Sequence, residues 1–140
     1  MPWWVAPFFL LAIVLLPAAL RWGGWPEQVI AAGNLAGAVL TRLAQPPGAN
    51  FDEVVWSILL IDWAVFLTLL FVALRSDRWW PMLATALLAP SLFAHIARAL
   101  NPALESNGYA LAGMTAYLIP PVLIAGIYRQ WRRFSAPVPH

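Results

Sequence analysis

A handful of residues in this oily sequence carry groups that could do chemistry: Asp62 and, in a later stretch, Ser91, His95 and Arg98, with Tyr117 further on. Ser91, His95 and Arg98 follow i, i+4 and i+7 spacing, which places them on one face of an α-helix. A carboxylate, an imidazole and a guanidinium brought together can share a proton or hold a polar ligand. Asp62 stands in the run Ser57-Ile-Leu-Leu-Ile-Asp-Trp-Ala-Val-Phe-Leu-Thr-Leu-Leu70. An ionised carboxylate near the centre of a bilayer costs about 2.5 to 3.5 kcal/mol on insertion scales. Asp62 must therefore pair with a cation, carry a proton or face water.

The elements that must position these groups follow from composition. Of 140 residues 62% are hydrophobic and 10% charged, against roughly 25% charged in a soluble domain, so the chain reads as integral membrane. All its cations are arginine, scattered between apolar runs without forming a basic face, which argues against nucleic acid. Without cysteine there is no disulfide, thiolate metal site or thiol nucleophile.

The expected fold is all-α, a single membrane domain of five transmembrane helices over about 3–20, 26–44, 54–74, 79–100 and 108–128, with a basic cytoplasmic tail at 129–140. The second span is the weakest because it holds Asn34, Thr41 and Arg42; the alternative is four spans plus a re-entrant or interfacial helix. Arg21-Trp-Gly-Gly-Trp-Pro-Glu27 supplies a glycine stop, a first-turn proline and an early glutamate. Asp52 is a candidate cap for the third helix. With the N-terminus outside and the C-terminus cytoplasmic, the inner face collects Arg21, Arg75, Arg78, Arg129, Arg132 and Arg133, and the outer face keeps Arg42 and Arg98. Tryptophans support the same threading: Trp3, Trp4, Trp22, Trp25, Trp56, Trp79, Trp80 and Trp131 fall at span ends, and Trp63 is the exception.

A rise of 1.5 Å per residue then sets depths from the outer ends. Asp62 lies about 12 Å deep, His95 about 7 Å, Ser91 and Tyr117 about 13 Å, and Asn34 about 15 Å. All share the outer half of the membrane, and His95 and Arg98 are the cations nearest Asp62 in depth. Two readings compete. One is a proton-titrating or ligand-binding site open to the outer face; the other, which leads on sequence alone, is a polar tie between the third and fourth helices. No cofactor is expected. A lone His95 could ligate a chlorophyll-type pigment, but a bis-histidine haem lacks its second ligand, because the only other histidine is His140 at the C-terminus.

The junction Arg75-Ser-Asp-Arg-Trp-Trp-Pro81, between the helix with Asp62 and the helix with His95-Ile-Ala-Arg98, resembles one found in small polytopic inner-membrane proteins of proteobacterial type. The resemblance covers about the last two thirds of the chain. It implies a bacterial cytoplasmic-membrane setting and no activity, and it transfers no site residues.

Close helix approach is expected at Gly33 and Gly37, a GxxxG pair, and at Gly108, Ala112 and Ala116. Pro90, Pro120 and Pro121 remove backbone donors and leave carbonyls near Ala86, Ala116 and Tyr117 in need of partners. Neighbouring groups more often heal such breaks than use them as a transport site. Arg129, Arg132 and Arg133 anchor the last helix to anionic lipid. No motif for a nucleophile elbow, a zinc protease or a phosphate loop is present, and no metal site is expected. The leading functional expectation is a non-catalytic accessory or interaction subunit, partnered by lipid and by other membrane subunits or copies of itself. The alternatives are a small transporter or proton-linked binding protein using the outer-half cluster, and a pigment carrier through His95.

Overall fold

The computed structural model describes residues 6–46, 54–103 and 106–135, and among these every regular element is a helix. The elements are α1 (Ala6–Trp22), α2 (Trp25–Ala44), α3 (Trp56–Arg75), α4 (Trp80–Leu100), α5 (Ser106–Met114), a 3₁₀ turn (Thr115–Leu118) and α6 (Ile119–Ser135). Trp3, Trp4, Asp52 and His140 lie outside the described residues. Three helical segments, α3, α4 and the stretch Ala110–Ser135, are long and apolar enough to cross a membrane. α1 is apolar but spans only 17 residues, and α2 carries Glu27, Asn34 and Arg42.

The helices close into a ring. α4 packs on α3, α3 on α2, α2 on α1, α1 on α6 and α6 back on α4, with α5 resting on α4. α4 is the hub, burying Ala84, Leu88, Leu92 and its polar residues, whereas α3 buries only Leu59, Leu69 and Val72. Other apolar residues of α3, including Leu60, Leu67, Phe71 and Leu74, face outward, as on lipid-facing helices, because lipid is as apolar as leucine. The apolar core joins Leu15 and Ala19 of α1, Ile30 and Ala31 of α2, Leu69 and Val72 of α3, Trp80, Ala84 and Leu88 of α4, and Ile119, Leu123 and Ile127 of α6. Each pair or triplet is spaced one helical turn or less apart, so each helix offers one stripe. All of these residues lie toward the end where α1 meets α2 and α3 meets α4. The arginine-rich end is thus the apolar-cored end.

Small residues set the spacing. A Cβ on Gly37 would lie 2.7 Å from Val65 Cγ2, and one on Gly33 would lie 3.6 Å from Thr68 Cγ2, so the GxxxG face of α2 receives α3 of the same chain. Gly126 lies against the Trp80 ring, which its Cβ would approach to 2.7 Å. Gly108 and Gly113 face open space, with nothing within 4 Å of an added Cβ, while Ala116 packs on the core.

The prolines explain the broken fifth segment. Pro120 and Pro121 cannot donate to Ala116 and Tyr117, and the chain tightens into the 3₁₀ turn at that place. Ala116 then receives its bond from the N–H of Ile119 instead. α4 runs unbroken through Pro90, and one residue beyond the carbonyl that Pro90 deprives, Leu87 O accepts the Thr115 hydroxyl at 2.6 Å. Thr115 also lies 2.8 Å from Ala112 O, sharing its one proton between the two carbonyls. α6 continues to Ser135, which puts Arg129, Arg132 and Arg133 on a helix rather than on an extended tail after residue 128.

Replacing Gly126 by Ala should destabilise the fold by about 1 to 3 kcal/mol, because the Trp80 ring must move. Gly113→Ala, placed in open space, should stabilise it by up to about 1 kcal/mol through helix propensity. Thermal unfolding in a mild detergent separates the two, and equal melting temperatures for both variants would contradict the packing described.

Candidate functional site

α3 and α4 bring the outer cluster together. Asp62, one turn beyond the buried Leu59, turns toward α4, whose face carries Ser91, His95 and Arg98, all buried. Ser91 Oγ donates to Asp62 Oδ2 at 3.1 Å, and His95 Nε2 lies 3.4 Å from the same oxygen. The Asp62 side chain stays 20% exposed, so the carboxylate sits at the edge of the helix interface with one oxygen engaged. Arg98 continues the same face one turn further toward the C-terminal end of α4 and is buried as well.

The other residues of the expected cluster are placed elsewhere. Tyr117 turns its ring to α1, where it meets Phe8 edge-on with centroids 4.7 Å apart. Asn34 is buried on the α2 face that also carries Glu27, Ile30 and Gly37. Arg42 is exposed on α2. His95 is buried and turns its Nε2 to the Asp62 carboxylate. Among the described residues no group of His, Cys, Asp and Glu could hold a metal ion.

A second polar cluster at the opposite end was not read as a site from the sequence. Glu27 is completely buried, accepting from Gly24 N–H at 2.8 Å and pairing with Arg78 Nη1. Arg78 also donates from Nη2 to Gln130 Oε1 at 2.6 Å. Three parts of the chain meet here: the α1–α2 turn, the α3–α4 junction and α6. Gly23 makes the turn possible, because a Cβ there would lie 2.6 Å from Ala19 O and 2.7 Å from Glu27 Cβ. The available signal was Glu27 itself, an acid at the head of a segment expected to enter the membrane. As a first-turn glutamate it also has an ordinary explanation, and that explanation holds alongside the pairing. Around this cluster Arg129 stacks over Trp79 at 5.7 Å and Arg75 over Phe71 at 5.5 Å.

Comparison with protein-family models, with curated proteins and with solved structures finds no match for this chain. Its chemistry has to be argued from its own geometry.

Two partners, Ser91 and His95, converge on one oxygen of the Asp62 carboxylate. With one proton shared between Asp62 and His95 the pair is neutral overall, whichever group holds it, and neutrality is what a low-dielectric setting favours. Adding or removing a proton leaves net charge on the pair. The inner cluster differs, since arginine does not release its proton and Glu27–Arg78 is a fixed ion pair.

That contrast predicts an asymmetry. Arg78→Gln strands a wholly buried carboxylate and should cost about 3 to 5 kcal/mol, whereas Glu27→Gln leaves a cation that is 21% exposed and should cost clearly less. Unfolding of both single variants and the double variant in detergent measures this. A larger loss for Glu27→Gln than for Arg78→Gln would overturn the assignment of Glu27 as the desolvated partner.

Proposed function

We propose that this chain is a five-span bacterial inner-membrane protein, with its N-terminus outside and its C-terminus in the cytoplasm, whose Asp62, Ser91 and His95 form a proton-exchanging site in its outer half. In this reading the protein is not an enzyme; it is a small proton-linked binding or transport protein. The observation that carries it is the convergence of Ser91 Oγ and His95 Nε2 on one Asp62 oxygen, inside a helix pair long and apolar enough to span a bilayer. Ionisable groups held within spans are functional candidates because lipid makes them costly. A mere tie between α3 and α4 needs no titratable partner, since serine or asparagine would serve.

The orientation draws support from charge. Arg21, Arg75, Arg78, Arg129, Arg132 and Arg133 belong to helix ends and a junction that meet at one end of the ring, and Arg42 and Arg98 lie toward the other. α1 and α2 complete the ring around α6, which favours counting them as spans although they are shorter or more polar than the others.

A second reading, the accessory subunit, draws on one observation. Gly33 and Gly37 are used within the chain, but Gly108 on α5 presents open space, where another helix would fit closely. Co-purification from native membranes tests that reading.

For the proton site, a pH step between about 4 and 9 on the reconstituted protein should give an infrared difference band from a carboxyl group. The band should vanish in Asp62→Asn and shift in His95→Gln. If Asp62→Asn leaves every carboxyl band in place and only lowers the melting temperature, the cluster is a structural tie.

A further inference from the structure

The α1–α2 turn and the end of α6 border a half-open cavity of about 320 Å³ lined by Arg21, Trp22, Gly23, Trp131 and Phe134. Its lining combines one arginine, two tryptophans, one phenylalanine and a glycine without a side chain. Arginine binds phosphate oxygens in a planar, charge-assisted fork. Tryptophan favours the headgroup level of a bilayer, where one edge is apolar and the other wet. The combination suits a group that is anionic at one end and greasy at the other.

The walls of this cavity are held by the inner ion-pair cluster. Gly23 lines the cavity, and its neighbour Gly24 donates to Glu27. Trp131 lines it from α6, and its neighbour Gln130 accepts from Arg78, which in turn pairs with Glu27. The turn and α6 are therefore fixed relative to each other by a buried network that lies behind the cavity. That network also neutralises Arg78 against Glu27 and leaves the charge of Arg21 facing the cavity.

The surroundings decide the sign of the occupant. Arg21 lies in the last turn of α1, and Arg132 and Arg133 lie in the last turn of α6, where they offset the negative ends of those helix dipoles. Arg75 and Arg129 add further positive charge at the same end, against Asp77 and the already paired Glu27. From the cavity, the outward faces of α1 and α6 continue as exposed apolar residues, Leu20 and Val14 on α1 and Tyr128 and Ile124 on α6. An acyl chain can follow them, since α1 and α6 are neighbours in the ring.

We propose that this cavity binds the headgroup of an anionic phosphoglyceride from the cytoplasmic leaflet, with its phosphate on Arg21 and its glycerol region against Trp22, Trp131 and Phe134. The site rests on the membrane orientation given above and is independent of proton exchange at Asp62. It makes α1, an apolar helix of 17 residues, the one that lipid pins to α6.

Native mass spectrometry of the detergent-extracted protein supplied with phosphatidylglycerol tests the site. Wild type should retain one phosphatidylglycerol, and Arg21→Gln should weaken retention by about fivefold. Arg75→Gln removes the same charge from the same end outside the cavity and should leave retention near wild type. Asp62→Asn should also retain the lipid, which separates this proposal from the proton site. Three results would overturn it: equal losses in Arg21→Gln and Arg75→Gln, which mean diffuse surface charge; equal retention of phosphatidylethanolamine; or displacement of the lipid by inorganic phosphate, which makes free phosphate the ligand.

Discussion

A charge cannot rest in hydrocarbon without a partner, and this fold is arranged around meeting that requirement at two depths. At one end Glu27 is sealed away from all solvent and pairs with an arginine that never loses its proton. At the other, Asp62 meets a histidine, whose proton is exchangeable. Both pairs link segments distant in sequence, and neither would be tolerated if its helices drifted apart. Packing and electrostatics therefore depend on each other here: the ring of helices brings the partners together, and the partners hold the ring closed.

The two ends differ in what else holds them. At the arginine-rich end the apolar core, from Leu15 to Ile127, surrounds the ion pair and would keep the helices packed by contact alone. Around Asp62 the apolar contribution is thinner: Leu59 and Leu92 are buried nearby, but they stand outside the main core. The α3–α4 contact at that end leans on Ser91 and His95 to a degree that the other end does not lean on Arg78. Loss of the Asp62 contacts would thus act where the bundle has little apolar packing to compensate for it.

Much of this was legible in the sequence, for physical reasons that differ from residue to residue. Helix positions were readable because glycine and proline punctuate apolar runs: Gly23, Pro26 and Asn101 bound helices close to where they were expected. The Asp62, Ser91 and His95 grouping was readable because helical rise fixes depth and i, i+4 spacing fixes a face, and two buried polar faces at one depth have few alternatives to meeting. Tyr117 shows the limit of that reasoning. It has the right depth, but depth does not determine azimuth, and the 3₁₀ turn before Pro120 rotates its ring to Phe8 instead. Glu27 escaped notice for another reason. Its role as a first-turn glutamate sufficed to explain it, and a partner 51 positions away leaves no periodicity to read.

Thr115 shows how the prolines fit the same economy. A proline inside a span frees a carbonyl that lipid cannot satisfy, so each break must be answered by another part of the chain. In α4 it is the carbonyl next to the freed one, Leu87 O, that accepts from Thr115, at the start of the 3₁₀ turn before Pro120 and Pro121. One irregularity supplies the donor that lies beside the other. Thr115 thereby ties the 3₁₀ turn to α4 within one turn of Pro90, and Pro90 lies one residue before Ser91, so the contact borders the turn from which Ser91 reaches Asp62. The Asp62–Ser91 contact and the broken fifth segment are for that reason connected: a change in the 3₁₀ turn would be felt at Asp62 through Thr115, Leu87 and Ser91, a route made of two hydrogen bonds and one turn of helix.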